Sequence, residues 1–140
     1  MRYLDTSLLV SALSRETRSH DARQWLQSQD LAELAISDWV VTEFSSALAI
    51  KVRTGEIDMV QRGAILAQFT QLSIDTFGNL PIDASAFRTA ARFCDQSQLN
   101  LRAGDALHLA ICADHGATLC TLDQRLGHAA PLVGVGCIML

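Results

Sequence analysis

The chain has 140 residues, 49% of them hydrophobic and 19% charged, with only two prolines. That composition fits one globular domain, residues 1–140, with enough apolar material for a core, and it excludes a disordered or low-complexity chain. A net charge of −4 argues against a generic polyanion binder, although ten of the eleven cations are arginine, which meets phosphate in a planar fork as lysine does not.

Arg2-Tyr3-Leu4 reads as a short apolar strand ending at Asp5. A charge this early leaves no room for a signal peptide, and no apolar stretch is long enough to span a bilayer, so a soluble, cytoplasmic protein without membrane contact is expected. Thr6 and Ser7 can open a helix that carries Leu8, Leu9, Val10, Ala12 and Leu13, with Asp5 either capping it or lying in a polar nest. A polar loop follows from Arg15 to Arg18. His20 to Gln29 forms a second helix with Ala22, Trp25 and Leu26 inward, and Leu34-Ala35-Ile36 a second strand.

Ser37 or Asp38 caps a long helix that runs to about Arg53 and stops at Gly55. Its apolar positions Val40, Val41, Phe44, Ala47, Leu48 and Val52 have helical spacing, and Glu43 falls within that stripe. An unpartnered buried carboxylate costs several kcal/mol, so Glu43 either serves the site or pairs at the stripe's margin. Asp58 caps the next helix, with Val60, Ala64, Ile65, Phe69 and Leu72 inward. Phe77 to Ile82 is irregular, with at most a strand near Leu80–Ile82. Asp83 then caps a helix with Phe87, Ala90, Ala91 and Cys94 on one face.

The most informative stretch is Leu101 to Leu126. It places Asp105 in the first turn of a helix apolar nearly all round, hence buried, which Gly116 ends. Ala117 to Leu122 reads as a buried strand with Asp123 at its C-terminal tip. An edge strand at Leu132–Val135 closes the chain. Alternating short strands and amphipathic helices predict a parallel α/β sandwich, whose ligands bind outside the carboxyl ends of the strands.

Asp5, Glu43, Asp105 and Asp123 are each an acid where an acid is locally out of place. If they converge, mutual repulsion raises their pKa values, and a hard divalent cation removes the penalty. Oxygen donors in this number suit Mg2+ or Mn2+, which can activate water and neutralise charge at a phosphodiester. Thr6, Ser7 and Thr121 then orient carboxylates or waters.

MRYLDTSLLVSAL, the internal Glu43 of VVTEFSSAL, LRAGDALHLAIC and GATLCTLDQRL together resemble the PIN-domain ribonucleases, most closely the VapC-type toxins of bacterial toxin–antitoxin pairs. The resemblance covers essentially the whole chain. It implies a three-layer α/β/α sandwich around a central parallel sheet, with Asp5, Glu43, Asp105 and Asp123 as the catalytic metal site. It also implies Mg2+- or Mn2+-dependent cleavage of RNA, such as tRNA or rRNA, a homodimer, and a VapB-type antitoxin whose C-terminal segment covers the groove. Asp123 is the least constant position of such sites. Arg15, Arg18, Arg102 and Arg125 are candidate RNA contacts through nearness in sequence to the acids or loops.

Rival readings fare worse. A haloacid-dehalogenase-like phosphatase needs a second Asp where Ser7 stands, and a receiver domain needs a late lysine, whereas Lys51 is the only one. His108 and Cys112 are four apart on a helix but lack a second zinc-ligand pair, so His108 is expected to pack or hydrogen-bond near Asp105. Cys94, Cys112, Cys120 and Cys137 lack paired spacing and read as small core residues. Gly134 and Gly136 are only a fragment of a dinucleotide fingerprint. The serious alternatives are a PIN-like module that binds RNA or protein without cutting, and a housekeeping RNA-processing nuclease.

Overall fold

The computed structural model describes residues 1–140. Five strands, β1 (Arg2–Leu4), β2 (Leu34–Ile36), β3 (Gly78–Asn79), β4 (Thr118–Thr121) and β5 (Cys137–Met139), form one sheet in the order β3-β2-β1-β4-β5. All neighbours are parallel. Seven helices flank it: α1 (Thr6–Leu13), α2 (Ser19–Gln27), α3 (Asp38–Arg53), α4 (Met59–Asp75), α5 (Ala84–Cys94), α6 (Ala103–His115) and α7 (Gln124–Ala129). The result is the expected α/β/α sandwich. No helix is long and apolar enough to cross a membrane.

The central strands are buried on both faces and therefore read as apolar runs. Tyr3, Leu4, Leu119 and Cys120 are fully enclosed. On α3 the inward side chains are Val40, Phe44 and Leu48, four apart, and Phe44 stacks on Phe69 of α4 at 4.0 Å between ring centroids. Buried Lys51 extends that row and ties two loops down, through Glu16 at 2.8 Å and Glu56 at 3.0 Å. Helix α6 is buried without interruption from Ala106 to Cys112, as an all-round apolar helix must be. It ends at Gly116, whose φ of +61° is the left-handed conformation expected of that glycine.

Several expectations need correction. The last strand is Cys137–Met139, while Ala130–Val133 is a 3₁₀ turn opened by Pro131 and closed by Gly134 at φ +81°. The third strand falls at Gly78–Asn79 and not at Leu80–Ile82, because pairing with Ala35 and Ile36 sets its register. Val60, Phe87 and Val41 face outward, at 82%, 57% and 41% exposure. Helix α7, right after Asp123, was not visible in the apolar pattern.

Sheet order places the functional edge. Connections from β1 and β4 leave toward opposite ends of the sheet, so a crevice opens beyond their C-terminal ends.

Candidate active site

Asp5 is the first residue past β1. Leu4 pairs with Cys120, and the Asp5 N–H donates to the Cys120 carbonyl at 3.1 Å, which brings Asp5 beside Thr121 at the end of β4. The Thr121 hydroxyl donates to Oδ2 at 2.6 Å, Ser7 donates at 2.8 and 2.9 Å, and the Leu8 N–H donates to Oδ1 at 3.1 Å. Asp5 therefore caps α1 and also belongs to the nest, so the two readings of this residue coexist. It is 3% exposed, and burial pushes its pKa above the ordinary carboxylate value despite His108 and the surrounding donors.

Glu43 reaches the same crevice from α3 and leans on α6. Its Oε2 accepts from Thr6 Oγ1 at 2.6 Å and lies 2.6 Å from His108 Nε2. Burial works against its charge, but the bonds from His108 and Thr6 outweigh it and hold the carboxyl below its usual value. An ionised carboxylate only accepts, so His108 Nε2 is the donor. Beside Oε1 the backbone of Gly104 leaves the room: a Cβ there would stand 2.9 Å from Oε1 and 3.2 Å from Trp39 Cζ2. The buried Trp39 Nε1 points toward Glu43 without reaching hydrogen-bond geometry.

Asp105 lies in the first turn of α6, and His108, three residues on, falls on the same side of the helix. The Asp105 carboxylate accepts from the Arg102 N–H at 3.3 Å and sits 3.4 Å from Arg125 Nη2. Asp123 caps α7, accepting from the Leu126 N–H at 3.1 Å, while its own N–H donates to Thr121 Oγ1 at 2.9 Å. All four acids line one cleft of about 540 Å3, together with Thr6, Ser7, Ser46, Arg102 and His108.

The donors are carboxylates and hydroxyls, a hard oxygen set suited to Mg2+ or Mn2+ and poorly suited to zinc. No three are gathered closely enough to ligate one ion directly. That spacing fits an ion that keeps several of its waters and takes only some ligands from protein.

The arginines separate. Arg102 lines the cleft and Arg125 pairs with Asp105. Arg18 borders an adjoining hollow that shares Thr6, Ser7 and Ala47 with the cleft, and it also pairs with Asp21 at 3.2 Å. Arg15 lines a different hollow, beside Lys51 and Glu56. His108 is packed and hydrogen-bonded near Asp105 as expected, its partners being Glu43 and Tyr3. Tyr3 and Ser37 complete its environment; in the sequence they read only as a strand residue and a helix cap, and the polar tip of Tyr3 on an otherwise apolar strand is the one signal of a further role.

A family model described as the PIN domain matches residues 2–131. No curated sequence matches the chain. Among solved structures, the chain is similar to FitAcB from Neisseria gonorrhoeae, with 17% identity, a TM-score of 0.73, and coverage of 99% of this chain and 96% of that one. It is similar to VapBC2 from Rickettsia felis, bound to a fragment of its promoter DNA, with 17% identity, a TM-score of 0.69, and coverage of 100% and 99%. It is also similar to VapC20 from Mycobacterium tuberculosis, described as a sarcin-ricin loop cleaving toxin, with 15% identity, a TM-score of 0.72, and coverage of 92% and 95%.

Proposed function

Because this chain belongs to the PIN-domain family, we propose that it is a metal-dependent endoribonuclease acting as the toxin of a toxin–antitoxin pair. The observation that carries the reading is one cleft at the sheet's switch point into which four acids from distant parts of the chain project. A binding module has no use for a carboxylate buried against its own charge, as Asp5 is, with three further acids lining the same cleft. RNA as substrate is supported by the fold shared with a sarcin-ricin loop cleaving toxin. An antitoxin partner is supported by the fold shared with toxin–antitoxin complexes. A second copy of the chain belongs to the same reading.

Asp5, Glu43, Asp105 and Asp123 supply the carboxylates that would hold Mg2+ or Mn2+. Bound there, the ion supplies an activated water and offsets charge on the scissile phosphate. Thr121 and Ser7 fix the Asp5 carboxylate, and Thr6 fixes that of Glu43. Arg102, which lines the cleft, would meet phosphate, and Arg125, paired with Asp105, would offset its charge.

The test is cleavage of a bulk tRNA and rRNA mixture with Mn2+, with Mg2+ and with EDTA, beside Asp105→Asn prepared identically. The expected result is discrete fragments that need metal and fall at least about a hundredfold in the variant, as losing one transition-state electrostatic group commonly costs. Equal cleavage by the variant would reveal a contaminant. No cleavage by protein verified free of partner would favour the binding module. Growth arrest on expression, relieved by a short gene encoded beside this one, would separate a toxin from a housekeeping nuclease.

A further inference from the structure

From the cleft wall into the core, four side chains form an unbroken line of hydrogen bonds. Ser37 Oγ lies 2.7 Å from Tyr3 Oη, Tyr3 Oη lies 2.9 Å from His108 Nδ1, and His108 Nε2 lies 2.6 Å from Glu43 Oε2. Ser37, Tyr3 and His108 are all buried. Ser37 stands at the N-cap of α3, yet its side chain makes no capping bond, being turned to Tyr3 instead. A histidine needed only to fill space in α6 would not require both ring nitrogens engaged by two different elements.

From this geometry we infer that His108, anchored by Tyr3 and Ser37, is a positioning residue that holds Glu43 in the one orientation in which it can serve the cation. The inference rests on the reading of Glu43 as one of the cation-holding acids. In the neutral ring, the Tyr3 hydroxyl donates to Nδ1 and thereby assigns the proton to Nε2, the nitrogen that faces Glu43. Thr6 secures the same Oε2 from the other side at 2.6 Å. A glutamate has three side-chain torsions to fix, and here two donors on one oxygen fix them during folding, before any ligand arrives.

The test is Mn2+ binding to the full chain, followed by the paramagnetic resonance of free ion, with cleavage and thermal melting measured in parallel. His108→Asn keeps an amide at the Nδ1 position, facing Tyr3, but cannot reach Glu43. It is expected to weaken Mn2+ binding by roughly tenfold to a hundredfold, the usual effect of losing an outer partner of a ligand. His108→Gln places an amide near Nε2 and is expected to restore affinity to within a few-fold of the parent. Tyr3→Phe, which keeps the packing and removes the anchor, is expected to show a smaller loss in the same direction.

Unchanged affinity in His108→Asn would overturn the inference, and so would equal losses in the Asn and Gln variants. If His108→Asn fails to fold, Tyr3→Phe decides, with unchanged affinity counting against. Asp5→Asn is measured alongside: if it binds Mn2+ like the parent, the cation reading itself fails, whatever the histidine variants do.

Discussion

Asp5 is surrounded by donors and still has a raised pKa, because burial outweighs them. The sign of its effect on stability follows. The folded state binds this proton more tightly than the unfolded state, whose value is the ordinary 3.8. Stability from this group is therefore greatest below that value and is lost as pH rises through the folded pKa. Asp5→Asn escapes the loss, while Glu43, depressed and of opposite sign, contributes alike to both proteins and cancels in their difference. Melting in chelator from about pH 4 to about pH 8 is expected to show the variant gaining on the parent as pH rises, then levelling off. A difference flat across that range would mean that Asp5 does not titrate against its burial. The four acids were legible because an acid on an apolar stripe or at a strand tip contradicts its surroundings. Tyr3 and Ser37 were not, because a tyrosine on a strand and a serine before a helix fit ordinary structural uses.

The same contrast holds for the elements. Helix α6 was legible because seven consecutive buried residues, Ala106 to Cys112, leave the apolar pattern no other meaning. The edge strands were not, because two or three residues carry no periodicity, and β3 and β5 exist where β2 and β4 offer register. Leu132 to Val135 looked like a strand, but Pro131 and Gly134 bend it into a turn. Helix α7 has six residues, too few to display a face. At the junction of α6 and β4, the two elements that carry Asp105 and lead to Asp123, Gly116 sits at φ +61° with nothing within 4 Å of an added Cβ. Gly116→Ala therefore costs backbone strain alone, about 1 kcal/mol. Urea unfolding is expected to show that loss with metal affinity unchanged. No loss at all would mean that the helix does not end in the left-handed conformation, and a loss above about 3 kcal/mol would mean that a contact there sets the cost.

Over the whole molecule, the acids come from residues 5, 43, 105 and 123, so the cleft exists only when the first strand, the third helix and the C-terminal third of the chain are assembled. No local segment can reproduce it, and a cation that needs it binds the folded state alone. Binding is then linked to global stability: at a hundredfold excess over Kd, the folded state gains about 2.7 kcal/mol. For a domain of this size, that corresponds to an upward shift in Tm of roughly 8 °C. Scanning calorimetry with Mn2+ and with EDTA, on the parent and on the double variant Asp5→Asn, Asp105→Asn, is expected to show the shift in the parent only. An equal shift in both would assign the effect to ions scattered over an acidic surface. No shift in the parent at saturating Mn2+ would leave the four carboxylates as structural groups, and the endoribonuclease reading would fall with them.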